Sequence, residues 1–128
     1  MFDLDGDGDL DIVTNDFNGP PQVLISTLAA THTVNFVKLR LNGVRSNREG
    51  IGAIVTAVLP DHRRMVKVMD GKSGYLSQSD LPLYFGLGGA DHLDAVEIQW
   101  PSGTHQVFQG PVRAGTTLVS IESGKPDK

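Results

Sequence analysis

Five aspartates, Asp3, Asp5, Asp7, Asp9 and Asp11, alternate through the stretch DLDGDGDLD near the start of a 128-residue chain. Carboxylates at every second position of a tight loop are the hard oxygen donors that Ca²⁺ collects, about six to eight at a time. Gly6 and Gly8 lie between them, and glycine's access to positive φ lets a backbone wrap an ion. The spacing predicts side-chain ligands from Asp3, Asp5, Asp7 and Asp11 and a backbone carbonyl from Asp9. An EF-hand would need Glu where Thr14 stands, and a helix after the loop. Ile12-Val13-Thr14 is β-branched and reads as a strand instead. The competing reading is a solvated Asp-Gly turn. Five like charges at strict alternation disfavour it, because they repel one another without a cation.

Little else in the chain has the residue types for chemistry. The histidines, His32, His62, His92 and His105, are scattered without ligand spacing. His92 lies beside Asp91 and Asp94, and a metal-dependent enzyme would draw on these or on His62; surface turns are the plainer reading, because a metal site needs convergent ligands and outer support. No cysteine is present, which excludes disulfides and thiolate metal sites. Ser73, Ser77 and Ser79 lack the context of a nucleophile elbow. Gly86-Leu87-Gly88-Gly89 opens no helix and so cradles no phosphate. No catalytic constellation emerges. As ligand contacts, Tyr75 and Trp100 offer ring faces, and Asn47, Arg48 and Gln78 offer polar groups on loops. Trp100 shares its strand face with Val96 and Ile98, which favours the core. Asn47 is as well suited to holding its own loop, and Arg48 to pairing with Asp80.

These residues are positioned by strands. Period-two alternation marks Asn35 to Leu41 (Val37, Leu39 and Leu41 inward), Ile51 to Leu59, Arg64 to Asp70 (Val66 and Val68 inward), Leu83 to Leu87 and His92 to Trp100. His105 to Gln109 and Thr117 to Glu122 follow, the latter with Val119 and Ile121 inward and a turn from Pro111 to Gly115 before it. Leu28 to His32 reads as a linker, and no window has helical periodicity. About seven closely spaced strands with Gly and Pro turns predict an all-β fold, an antiparallel, jelly-roll-like β-sandwich, with the calcium-loop hairpin ahead of it. The chain divides into a loop and hairpin over 1–27, a linker over 28–35, the sandwich over 36–123 and a tail over 124–128.

Net charge is −4, concentrated in the leader; the remainder is close to neutral, which argues against nucleic acid or an anionic membrane as partner. No apolar run is long enough to span a bilayer.

Four ordered motifs, SNREGIGAIV from Ser46, GYLSQSD from Gly74, LYFGLG from Leu83 and VEIQWPSG from Val96, resemble the ASPIC/UnbV domain over residues 36–123. The leader and DFNGPPQVLIST after it resemble the C-terminal part of an FG-GAP/VCBS repeat. The resemblance implies a piece of a large secreted protein, extracellular, cell-surface or periplasmic. The expected function is a non-catalytic, calcium-binding module for recognition or adhesion at extracellular glycans or matrix and protein surfaces. The alternatives are a metal-dependent polysaccharide-active enzyme domain, and a structural cap that self-associates through its N-terminal strands.

Overall fold

A computed structural model describes residues 1–72, 75 and 82–124. The chain is built from strands, as the alternation predicts. A two-stranded hairpin, β1 (Ile12–Thr14) and β2 (Gln22–Leu24), precedes a single helical turn, α1 (Leu28–Thr31). Seven strands then form two sheets. In one, β3 (Phe36–Asn42) lies between β6 (Leu83–Gly86) and β9 (Thr116–Ile121). In the other the order is β5 (Arg64–Val68), β4 (Ile54–Val58), β7 (His92–Gln99), β8 (His105–Arg113). Between them lies one core, with Val37, Leu39, Leu41 and Phe85 from the first sheet and Val55, Ala57, Val96 and Ile98 from the second. Burial of these side chains is the main stabilising term, about 1.5–3 kcal/mol for each of the larger ones.

The pairing is not wholly antiparallel. β9 runs parallel to β3, Val37 opposite Thr116 through Asn42 opposite Ile121. A parallel partner cannot be reached by a tight turn. Here everything from β4 to β8 serves as the crossover.

Several local expectations are corrected. Residues 28–32 are not a plain linker. Leu28–Thr31 turns once as helix because the Ala29 N–H donates to Asp9 Oδ2 at 2.8 Å and the Leu28 N–H to Ser26 Oγ at 3.3 Å. The expected turn at Pro111 is the second half of β8. Proline is tolerated there because β8 is an edge strand, where a missing N–H breaks no ladder. Two strands face the opposite way from their predicted phase. Val66 and Val68 of β5 are exposed, while Met65 packs on the core and Met69 beyond the strand is buried. Val119 and Ile121 of β9 are exposed, and Leu118, Ser120 and Glu122 face inward.

Glu122 explains the phase of β9. It is 2% exposed, and its carboxylate is ringed by donors. The backbone N–H groups of Val44, Arg45 and Ser46 donate to Oε2 at 2.8, 2.7 and 2.7 Å. The hydroxyls of Ser46 and Ser102 donate to Oε1. Burial pushes the carboxyl up, but the hydroxyl of Ser102 and the three N–H groups outweigh it and hold the group down at about 2. The cluster joins the loop after β3, the turn after β7 and the end of β9.

Glu122→Gln keeps the shape but sets an NH₂ group against donors and removes the charge. It is expected to lower stability by about 2–4 kcal/mol at pH 7 in urea denaturation. Because the folded carboxyl lies below its ordinary value of 4.5, its contribution is complete above that pH and is lost as pH falls through about 2. The gap between wild type and variant therefore closes in acid. A gap that is constant from pH 7 to pH 2 would contradict this account.

Candidate metal centre on the outer face of the sandwich

The aspartate loop does not hang free. It lies on the outer face of the β6-β3-β9 sheet, the side away from the core. Period two puts Phe36, Lys38 and Arg40 of β3 on that face, with Tyr84 of β6 opposite Lys38. The Phe36 and Tyr84 rings stack at 5.1 Å between centroids. Lys38 Nζ lies 5.0 Å from the Phe36 centroid and 5.5 Å from that of Tyr84, and donates to Asp3 Oδ2 at 2.7 Å. The Tyr84 hydroxyl donates to the Gly8 carbonyl. Gly8 has φ +99°, and a Cβ there would overlap the Phe36 ring, so glycine is required twice over.

Within the loop, carboxylate oxygens of Asp3, Asp5 and Asp11 lie within 4.8 Å of one another. Asp11 is buried, and its two oxygens accept the Leu4 N–H at 2.7 Å and the Ser26 N–H at 2.8 Å. Asp3 Oδ1 accepts the Gly6 N–H at 2.7 Å, and Asp5 and Asp7 accept from the residue two further on. These bonds curl the backbone so that the first and last carboxylates of the run converge. Asp7 is exposed and outside the group of three. Asp9 is buried, with Oδ2 held by Ala29 and Oδ1 without a hydrogen-bond partner among the described residues.

Charge is crowded here. The Lys38 hydrogen bond holds the Asp3 carboxyl below its ordinary value. The Asp9 N–H pulls the Asp7 carboxyl down, but lost hydration and the charges of Asp5, Asp9 and Asp3 outweigh it, and the net direction is up. Burial, then the charges of Asp3, Asp9 and Asp7, push the Tyr84 phenol up to about 12, which keeps its hydroxyl a donor.

The other singled-out residues do not join this centre. Trp100 is 2% exposed, in the core beneath Gly50, and offers no face to a ligand. Asn47 serves its own loop: its amide donates to the Ile51 carbonyl at 2.7 Å and accepts the Ile51 N–H at 2.8 Å. Arg48 is exposed, with no ion pair among the described residues. Tyr75 is 93% exposed. Gln78 and Asp80 lie outside the described residues. His92 is held between two carboxylates, Nδ1 to Asp91 at 2.6 Å and Nε2 to Asp94 at 3.3 Å. The acids flank opposite sides of the ring, and the three do not converge. His62 sits in an exposed turn with φ 65°.

Sequence reasoning missed Lys38, Tyr84 and Phe36 as the platform. The signal was present: two aromatic rings at outward positions of paired strands make an apolar patch that marks a covered face.

The profile of the family described as ASPIC and UnbV matches residues 43–126. The chain belongs to the ASPIC/UnbV family. It is similar to cartilage acidic protein 1 of Homo sapiens, 34% identical over 106 residues, covering 80% of this chain and 15% of that protein. It is 33% identical to the Mus musculus protein of the same name, over 80% of this chain and 16% of the relative. It is 27% identical to that of Xenopus tropicalis, over 89% of this chain and 18% of the relative. The chain thus spans less than a fifth of the length of these relatives. No solved structure matches it significantly. No described helix is long and apolar enough to cross a membrane.

The platform makes Gly8 a test of docking. Gly8→Ala is expected to release the loop while the sandwich stays folded. Amide exchange over residues 2–11 and 26–30 should rise at least tenfold, with β3, β4 and β7 unchanged. Unaltered protection of the loop would refute the docking.

Proposed function

We propose that this domain is a non-catalytic, calcium-binding module of an extracellular protein, in which the aspartate loop holds Ca²⁺ against the sandwich and the assembly serves recognition or adhesion. The observation that carries this reading is the convergence of Asp3, Asp5 and Asp11 on a loop already bent by its own hydrogen bonds. In this reading Asp3, Asp5 and Asp11 hold the ion with Asp7 and the Asp9 main chain. Bound Ca²⁺ would neutralise the loop and cross-link its two ends. The leader is read as the end of an FG-GAP/VCBS repeat. The extracellular assignment rests on the cartilage of the relatives' name and on the family resemblance. Exposed Tyr75 supports a surface role in contacting a glycan or a protein.

Calorimetric titration with CaCl₂ tests the metal. One ion per chain is expected, with Asp5→Asn weakening it at least tenfold. Asp5 is exposed and holds only one long hydrogen bond, so that substitution leaves the metal-free fold intact. No heat, and no calcium-dependent rise in melting temperature, would sink the reading.

Self-association is a second reading with its own observation. Among the described residues β1 and β2 pair only with each other, and Ile12, Val13, Val23 and Leu24 are exposed. A lone two-stranded hairpin has open edges and little stability of its own. Sedimentation across a hundredfold range of concentration should show a dimer that Val13→Lys abolishes. A monomer at every concentration would exclude it.

A further inference from the structure

A cavity of about 360 Å³ opens between the aspartate loop and the sheet beneath it, lined among others by Asp3, Leu10, Lys38, Arg40, Tyr84 and Thr117. Its size suits a small ligand. Its wall is mixed, with an aromatic ring and a leucine on one hand and two cations on the other. Arg40 is exposed and has no ion-pair partner among the described residues. Lys38 does have one, and it is Asp3, one of the three converging carboxylates.

We propose that this cavity takes the carboxylate or sulfate group of an acidic saccharide, and that calcium in the adjoining loop raises its affinity for that group. The inference rests on the calcium reading above. Asp3 faces both sites. While its charge belongs to Lys38, Arg40 is the one lining side-chain cation without an ion pair among the described residues, beside a loop of five carboxylates, and an anion is repelled. Ca²⁺ adds two positive charges next to the cavity and draws on the Asp3 carboxylate, which leaves Lys38 less neutralised. The Phe36 and Tyr84 rings hold the ammonium in place by cation–π attraction even as Asp3 turns to the ion. Lys38 and Arg40 lie two residues apart on one strand face, so their charges point into the same space. A saccharide is favoured over a free anion because the leucine and the ring supply an apolar wall that only a ligand with a carbon frame can use.

Coupling of this kind is reciprocal: the factor by which calcium strengthens the anion is the factor by which the anion strengthens calcium. The test is a calorimetric titration of the full chain with a glucuronate-containing disaccharide, methyl glucoside and sodium sulfate, each with CaCl₂ and with EDTA. The disaccharide should bind at least fivefold tighter with calcium, and methyl glucoside not at all. Arg40→Gln should abolish disaccharide binding while calcium affinity in its absence stays within twofold; Arg113→Gln, on the other sheet, should change neither. Calcium binding without any anion binding would overturn this inference and leave the calcium reading standing. Failure to bind calcium would overturn both. Equal affinity for sulfate and the disaccharide would overturn the saccharide assignment.

Discussion

One carboxylate closes the sandwich. Glu122 comes at the end of the last strand and collects donors from the loop after β3 and the turn after β7, so that both sheets end on it. A buried charge is tolerated only where its lone pairs are met by donors. The need for those donors fixes the geometry around it. Three successive N–H groups, from Val44 to Ser46, point one way only if the loop curls, and Gly43 helps by leaving room for the Asn47 carbonyl that a Cβ would strike. Ser102 serves the same carboxylate from the Pro-Ser-Gly turn, and the Ser102 N–H donates to Ser46 Oγ at 3.2 Å. Trp100, just before that turn, is thereby held in the core. The parallel register of β9 on β3 follows from the same requirement, since it brings Ile121 opposite Asn42 and Glu122 to the loop.

Alternation was a sound guide where it had one answer. In β3 the outward residues Lys38 and Arg40 leave no doubt about the inner face. In β7, Glu97 and Gln99 do the same for Val96, Ile98 and Trp100 beyond. β5 and β9 have no such asymmetry. In RMVKV the valines look like core, yet β5 is an edge strand whose register on β4 turns Met65 and Lys67 inward. Lys67 on its inner side reaches out to the Tyr84 carbonyl and lies over the Phe85 ring, so its charge is not trapped. In β9 the inward set is Leu118, Ser120 and Glu122. Hydrophobicity alone selects Val119 and Ile121, and only the distant donors of residues 44–46 and 102 reverse the choice. A carboxylate satisfied by groups about 76 residues away leaves no local trace.

The aspartate run was legible as a cluster, because strict alternation with glycines has few uses. Which carboxylates meet was not. Convergence of Asp3, Asp5 and Asp11 depends on the Leu4 and Ser26 N–H groups that orient Asp11, and on Lys38 that orients Asp3. Two of these three lie outside the run. Trp100 and Asn47 were weighed as ligand contacts against the core and the loop itself, and both sit as internal fasteners of the fold. Burial separates Trp100 from Tyr75, and the two hydrogen bonds to Ile51 separate Asn47.

Docking and charge balance are separable in this loop, and the chain treats them differently. Position is over-determined: the Tyr84 hydroxyl on the Gly8 carbonyl, the Phe36 ring under Gly8, Lys38 on Asp3, and the Ala29 and Ser26 N–H groups on Asp9 and Asp11. Only one of these five contacts, that of Lys38, brings a cation. Charge is left under-balanced, for Lys38 is the one cation paired with the five carboxylates among the described residues. Were the loop only a structural turn, polar residues without charge would dock as well and avoid the repulsion that drives the Asp7 carboxyl upward. A scaffold that holds acids together mainly through neutral donors, and pairs them with a single cation among the described residues, supports the proposed site, whose remaining charge a bound cation would meet. Preorganisation of that kind lowers the ordering entropy a ligand must overcome. It is the physical basis for reading residues 3–11 as a binding loop and not as a solvated turn.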